Sequence, residues 1–200
     1  MPFKYYVLFF LLVCLGLVSF APYYLTYQNP PIKSDTVVLL VGPEGLSREE
    51  KVKQLISDGY SGYLLIPAFG EVLKASGNGR LSLIQKSDSV RNQFSFEAPL
   101  LINWRVYENT HVEILLAKSM MDDANFRSAI FVSAPYHMRR IELIAERVFD
   151  EKIYHLVFVP ITHEDRNQIF WWLDNKKRRW IVSEYIKIFW LLVMPHENLD

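Results

Sequence analysis

The chain has little of what builds the common catalytic and metal sites. Its single cysteine, Cys14, can form no disulfide within the chain, which fits any cellular compartment. Its five histidines include no H-x-x-x-H pair, so no metal centre is predicted. A serine hydrolase is also disfavoured, because the G-x-S-x-G motif is missing. Lys and Arg balance Asp and Glu at 22 each, and this zero net charge argues against nucleic acid as a partner.

A long uncharged run stands near the start of the chain. Tyr5 to Phe20 contains no charged residue, and extended to Leu25 it gives about 20 residues, or about 30 Å of helix. This length predicts an uncleaved membrane anchor over residues 1–27. A cleaved signal peptide is the alternative, because Ser19-Phe20-Ala21 offers a small-x-small site. Lys4 ahead of the run weakly favours a topology with the rest of the chain outside the cytoplasm.

Residues 28–35 form a short Pro-containing tether, and the remaining residues 36–200 have a normal length for one domain with its own core. Apolar runs typical of buried strands alternate there with helical spacing. The predicted strands are 36–41, 62–67, 99–106, 128–133 and 152–160. A capping box, Ser47 with Glu50, is expected to start the first helix, and Gly59 to end it.

This order predicts an α/β fold, a Rossmann-like, mainly parallel sheet of about five strands, preceded by one N-terminal transmembrane helix. Helices are expected on both faces of the sheet. Residues 68–98 show no clear period, and a short helix or a hairpin both fit them. Residues 164–194 are expected to be helical, in one or two pieces.

In such a sheet, ligands bind beyond the carboxyl ends of the strands. The loop "YENTHVE" follows the third predicted strand. Asn109 or Thr110 is expected to cap the next helix, whose free N–H groups suit an anion, with His111 and Glu113 on its first turn. The alternative is that these residues do no more than cap the helix.

The stretch "SAPYHMRR" follows the fourth predicted strand. Ser133 ends the strand, and Tyr136 and His137 lie near the start of the next helix. Arg140 is suited to hold a carboxylate or phosphate in a two-pronged contact. The alternative is an ordinary helix start, with Arg139 and Arg140 on a solvated face.

A basic run, Lys176 to Arg179, lies between Trp171-Trp172 and Trp180. Basic residues beside tryptophans can rest on anionic lipid headgroups, but a solvated helix face also explains them. The uncharged run that follows, Ile188 to Pro195, is too short to span a membrane.

Several of these motifs together resemble the YdcF/SanA/ElyC family of bacterial envelope-associated domains, over about Thr36 to Phe149. The first-helix spacing, the N-T pair, and the serine, Y-H-M and arginine of "SAPYHMRR" carry the resemblance; they are Arg48, Val52, Leu55, Gly59, Asn109, Thr110, Ser133, Tyr136, His137, Met138 and Arg140. The chain departs from the family pattern at Trp104, where an acidic residue is usual, and at "PAFG", where S-G-G is usual.

The resemblance implies a Rossmann-type fold in a protein of the bacterial plasma membrane, with its domain outside the cytoplasm. It implies a role in peptidoglycan or surface-polysaccharide biogenesis, or in barrier maintenance, through an anionic, phosphorylated or lipid-linked small molecule. The expected ligand-binding residues are Gly42, Asn109, Thr110, His111, Glu113, Ser133, Tyr136 and Arg140, and His137 is the candidate acid/base. Two alternatives stay open: a non-catalytic scaffold or regulator of an envelope complex, and a nucleotide or S-adenosylmethionine binder. Neither a reaction nor a cofactor follows from the sequence.

Overall fold

The computed structural model describes residues 2–42, 44–76, 80–86, 104–162 and 171–193, and these ranges contain five α-helices and six strands. In chain order they are α1 Pro2–Leu25, β1 Thr36–Leu39, α2 Gly45–Ser57, β2 Tyr63–Ile66, β3 Glu71–Ala75, β4 Leu81–Lys86, α3 Trp104–Asp123, β5 Ser128–Ser133, α4 Met138–Val148, β6 His155–Pro160 and α5 Asn175–Val193. Short 3-10 turns at Pro67–Phe69, Pro135–His137 and Trp171–Leu173 precede β3, α4 and α5.

The six strands form one sheet in the order β4-β3-β2-β1-β5-β6. β1 pairs in parallel with β2 and β5, and β5 pairs in parallel with β6. β3 is antiparallel to both β2 and β4. The predicted α/β class and mostly parallel sheet are therefore confirmed, with six strands in place of about five.

The third predicted strand is wrong over residues 104–106, because α3 begins at Trp104. The mostly apolar run "PLLINWRV" has no period that separates a strand from a helix, which explains the error. Residues 99–103 of that prediction lie outside the described residues. Over the described part of residues 68–98, the hairpin is the alternative present, as β3 and β4. Residues 77–79 and 87–98 of that segment lie outside the described residues.

Both faces of the sheet are buried at its centre, because helices cover each of them. Val38 of β1 and Leu40, which follows the strand, pack in one core with residues of α3 and α4, whereas Val37 and Leu39 pack in a second core with residues of α2. Successive residues of a strand point to opposite faces, so a strand covered on both sides is apolar at every position. Helices on both faces are therefore confirmed.

The carboxyl-terminal end of α1 is hydrogen-bonded to the rest of the fold. Pro22 lies inside α1 and has no N–H, so the carbonyl of Val18 lacks its usual helical donor. Trp171 Nε1 donates to that carbonyl at 2.8 Å. Two more side chains donate to carbonyls further along α1: Tyr185 to Ala21 at 2.7 Å, and Arg139 to Tyr24 at 3.0 Å.

Across the residues that the structure describes, no helix is both long and apolar enough to cross a membrane. The spanning helix predicted from the run Tyr5 to Phe20 therefore gains no support from the fold.

Candidate functional site

A buried polar cluster lies where β1 and β5 end side by side. Ser133, the last residue of β5, is 2% exposed, and so is Arg48, which α2 places above the two strands. Arg48 Nη1 donates to the carbonyl of Leu40 and, at 3.0 Å, to Ser133 Oγ. Arg48 Nη2 donates to Glu44 Oε2 at 3.0 Å. One guanidinium thus joins the start of α2 to the carboxyl ends of two central strands.

Gly42 lies directly against this guanidinium. A Cβ atom at position 42 would lie 2.3 Å from Arg48 Nη2, well inside van der Waals contact. Gly45, three residues on, has no heavy atom within 4 Å of the same ideal position. Glycine at position 42 therefore allows the close approach of backbone and guanidinium that the cluster requires.

A second charged cluster is centred on Glu184 of α5, which is 1% exposed. Arg140 Nε donates to its Oε2 at 2.7 Å, and Lys187 Nζ lies 2.6 Å from its Oε1. His137 Nδ1 lies 3.1 Å from the same oxygen. Burial alone would raise the pKa of Glu184, but the hydrogen bond from His137 and the charge of Arg140 hold it well below its ordinary value. Glu184 is therefore anionic, and it is the anion that Arg140 contacts in this structure.

Glu113 of α3 links the two clusters electrostatically. Its carboxylate accepts the backbone N–H of Val41, and the charges of Arg48 and Arg140 both act on it. Burial raises the pKa of Glu113 to about 7, and the arginines and the backbone donor offset only part of that effect. A carboxyl group with this pKa is close to half protonated at neutral pH, so it can give or take a proton.

The structure separates the other predicted site residues from this group. The prediction that a helix begins at Asn109 or Thr110 is wrong, because α3 begins at Trp104 and both residues lie inside it. The side chain of Asn109 lies outside the described residues. His111 is half-buried, and burial together with the charge of Arg147 lowers its pKa, which keeps it neutral. Tyr136 is buried in an apolar cluster beside Leu25 and Trp171.

A cleft of about 340 Å³ opens beside this cluster, along α2 and the face of β1 to β4 that α2 packs against. Arg48 and Gly42 lie in its lining. Aliphatic side chains make up most of the rest, among them Leu39, Val52, Leu64, Ile66, Leu73 and Leu81. Arg48 and Lys53 supply two cations to the lining against the single acid Glu49. Such a mostly apolar space with a cationic excess suits a small molecule that has an anionic group and an apolar part.

Two buried donors add to the polar character of the site. Among the described residues, Arg48 Nε and Arg140 Nη1 are buried and have no hydrogen-bond partner. A buried donor without an acceptor is unfavourable by about 1–3 kcal/mol, so these two atoms mark positions where an acceptor would stabilise the structure. In the same part of the chain, no group of three metal-ligating side chains comes together.

Comparisons with known proteins add no assignment. No protein-family model matches the chain, and neither a curated protein nor a solved structure is similar to it. The resemblance to the YdcF/SanA/ElyC family therefore stays a prediction from motifs.

Two residues of the site were missed as functional candidates. Arg48 was predicted only as a spacing residue of the first helix, and no role was predicted for Glu184. The available signal for Glu184 was a lone acid in "IVSEYIKI", since a carboxylate inside a buried helix face needs a cationic partner.

Proposed function

We propose that this chain binds an anionic or phosphorylated small molecule at the carboxyl ends of β1 and β5, in a Rossmann-like fold. The supporting observation is where Arg48 lies. From β1 the chain adds β2, β3 and β4 on one side of the sheet, and it then returns to add β5 and β6 on the other side. The direction in which strands are added therefore reverses between β1 and β5. Open α/β sheets bind ligands at such a switch point, and Arg48 spans this one while lining the adjacent cleft.

The charge balance of the site favours an anion when Glu113 is protonated. Arg48, Arg140 and Lys187 supply three cations, and Glu44 and Glu184 supply two anions. A protonated Glu113 leaves one positive charge in excess, whereas an ionised Glu113 cancels it. The proposed ligand should therefore bind more weakly as the pH rises through about 7.

His137 is the group best placed to move a proton if the bound ligand reacts. Its Nδ1 faces Glu184, and a carboxylate partner of this kind orients the ring of an acid/base histidine. The side chain is partly exposed, unlike Arg48 and Arg140.

We place this activity in bacterial cell-envelope biogenesis or barrier maintenance, at the plasma membrane. The support is the motif resemblance, the uncharged run Tyr5 to Phe20, and the exposed aromatic side chains Phe9, Phe10 and Phe20 on α1. The topology is tested by a reporter fused after Asp200. Activity of an extracytoplasmic reporter supports this location, and activity of a cytoplasmic reporter alone contradicts it.

Ligand binding is tested by thermal unfolding of the full chain with sugar nucleotides, polyprenyl phosphates, inorganic phosphate and S-adenosylmethionine. We expect one of the anionic ligands to raise the Tm of the wild type and of the control Lys152→Met, which removes an exposed charge elsewhere. The Arg48→Lys variant keeps the charge but loses the two-pronged donor geometry, so its shift should be lost. Circular dichroism shows whether the variant is folded. A folded Arg48→Lys protein that responds like the wild type would exclude this site.

A non-catalytic scaffold or regulator of an envelope complex is the second candidate. The observation that favours it is that both arginines already have acidic partners within the chain, Glu44 and Glu184. In this case no ligand raises the Tm, and the double variant Arg140→Met with Glu184→Met, which replaces the buried pair by apolar residues, keeps its envelope phenotype. A Tm shift with S-adenosylmethionine alone would instead favour the third alternative.

A further inference from the structure

The exposed face of α5 is apolar along its whole second half. Val182, Ile186, Phe189 and Val193 follow one another at helical spacing and are 46%, 60%, 65% and 59% exposed. We call these four residues the α5 stripe. The opposite face of α5 is buried, through Ile181, Glu184, Ile188 and Leu191. A helix that is buried on one side normally shows polar residues on the other, so the stripe needs a further contact.

The basic residues of α5 are concentrated at its amino-terminal end. The basic run Lys176 to Arg179 opens the helix, and Arg179 stands in line with the stripe, three residues before Val182. The one acidic residue between Asn175 and Val193 is Glu184, which is buried. Trp180 and Trp190 are both partly exposed beside the stripe, and Lys176 Nζ lies 4.8 Å from the Trp180 ring. Asp174, exposed just before α5, accepts the backbone N–H groups of Lys176 and Lys177. The exposed side of α5 therefore combines apolar, aromatic and cationic groups with a single anion, at the start of the helix.

The stripe lies beside α1, which is also apolar and exposed. Tyr185 joins the two helices, because its ring stacks on Tyr24 and its hydroxyl donates to Ala21. Near this junction α1 exposes Phe20. The apolar surface of α5 is thus continued by α1.

We propose that α5 lies flat against an anionic lipid bilayer. The stripe enters the boundary between headgroups and acyl chains, and the basic run contacts lipid phosphates. Helices that bind in this way have an apolar face, basic residues and tryptophans at the interface. A protein partner would account for the stripe, but it would not account for four cations against one exposed acid, Asp174, at the start of the helix. This contact is separate from the ligand site near Arg48.

The test measures the depth of α5 in a bilayer with the full chain. Cys14→Ser removes the native thiol, and Phe189→Cys introduces a single thiol for an environment-sensitive NBD probe. The matched control is Gln54→Cys on α2, at an exposed side chain on the other face of the sheet. Both proteins are placed in nanodiscs of phosphatidylcholine with phosphatidylglycerol, with and without lipids brominated on the acyl chain. We expect brominated lipid to quench the Phe189→Cys probe by roughly half or more and to leave the control unchanged.

A second arm tests the basic run. Nanodiscs of phosphatidylcholine alone, or replacement of Lys176 to Arg179 by glutamine, should reduce the quenching, and high salt should reduce it in the anionic nanodiscs. A Phe189→Cys probe as water-exposed as the control overturns the proposal. A blue-shifted probe that brominated lipid does not quench also overturns it, because a protein surface then covers the stripe. Quenching that is equal in neutral and anionic nanodiscs refutes the role of the basic run.

Discussion

At position 42 there is no room for a side chain beside the Arg48 guanidinium, so the effect of adding a single methyl group there can be predicted. In Gly42→Ala the new Cβ would meet the buried guanidinium, which is held by Leu40, Ser133 and Glu44 and cannot easily move aside. We expect the variant to lose about 1–3 kcal/mol of unfolding free energy, as overpacked sites do. Urea unfolding measures the change.

Gly45→Ala is the matched control, because position 45 is open and is the first residue of α2. Alanine there should leave the unfolding free energy unchanged or raise it by up to about 1 kcal/mol, since alanine favours helices. Equal stability of the two variants would mean that Arg48 has room to shift.

Glu113 predicts a dependence of stability on pH. Its pKa is about 7 in the folded chain, against an ordinary value of 4.5, so the folded state binds its proton more tightly than the unfolded state does. The stabilisation from this proton is complete below pH 4.5 and is lost as the pH rises through 7. Glu113→Gln keeps a neutral side chain at every pH. We expect the wild type to lose about 2–3 kcal/mol relative to Glu113→Gln between pH 5 and pH 8, in urea unfolding at each pH.

The difference in unfolding free energy between the wild type and Glu113→Gln at each pH removes the contributions of the other titratable groups. His111 titrates in the same range with the opposite sign, because burial lowers its pKa and its stabilisation is lost as the pH falls. Asp35 and Asp122, whose pKa values are lowered, lose theirs only in acid. If the unfolding free energies of the wild type and Glu113→Gln change in parallel between pH 5 and pH 8, the Glu113 carboxyl group has an ordinary pKa.

Single residues also show what the sequence could predict about the site. Ser133, His137, Arg140 and Glu113 were predicted to line the sheet edge, and each takes part in one of the linked charged clusters. Their partners were not predictable, since Glu184 lies 44 residues beyond Arg140 and meets it only because α5 packs across α4. Ion pairs of this kind depend on tertiary packing, and no local pattern encodes them.

At the scale of elements, the junction between α1 and the domain depends on a proline. Because Pro22 leaves the Val18 carbonyl without a helical donor, Trp171 Nε1 supplies the missing hydrogen bond. Trp171→Phe keeps an aromatic ring and removes the donor. We expect it to lower the unfolding free energy by about 1–2 kcal/mol, because the Val18 carbonyl is left unsatisfied.

Trp171→Phe should lower the unfolding free energy less in a Pro22→Ala background, because the alanine has a backbone N–H that it can donate to the Val18 carbonyl. A double-mutant cycle by urea unfolding measures the difference, which we expect to be about 1 kcal/mol. Additive effects of the two substitutions would show that the Trp171 donor does not replace the missing helical bond.

The central strands were easier to predict than the edge hairpin or the start of α3, because burial constrains the sequence of a strand most strongly at the centre of a sheet. The strands at the centre of the sheet, β1, β2 and β5, were predicted because a strand buried on both faces must be apolar throughout. The edge hairpin β3-β4 was ambiguous because β4 is mostly exposed and carries only a weak apolar pattern. The start of α3 was missed because Asn109 and Thr110 read as a cap, and capping residues also occur inside helices whose packing outweighs their local preference.

For the whole molecule, the topology of the sheet predicts which strands open most easily. It also predicts that the two edge strands, β4 and β6, differ in stability. β1 is paired on both sides and fully buried, so its amides should open only with most of the fold. β4 forms one edge, and its only strand partner among the described residues is β3. β6 forms the other edge, but the segment before β1 covers it: Asn29 donates its N–H to Phe158 and accepts the Phe158 N–H on its side chain. An edge protected by such contacts should behave more like an inner strand.

Hydrogen exchange followed by mass spectrometry tests this order. Among β1, β6 and β4, we expect peptides covering Thr36–Leu39 to exchange most slowly and those covering His155–Pro160 next. Peptides covering Leu81–Lys86 should exchange on the order of 100-fold faster than those of β1. Asn29→Ala removes the side-chain acceptor for Phe158, so it should speed exchange in β6 and leave β4 unchanged. Gln54→Ala, at an exposed position of α2, controls for the loss of an amide side chain elsewhere. Equal exchange of β4 and β6 in the wild type would mean that the segment around Asn29 does not protect its edge. The cooperative unit would then be the core strands β1, β2 and β5 alone, and the site at the ends of β1 and β5 would lie in its most stable part.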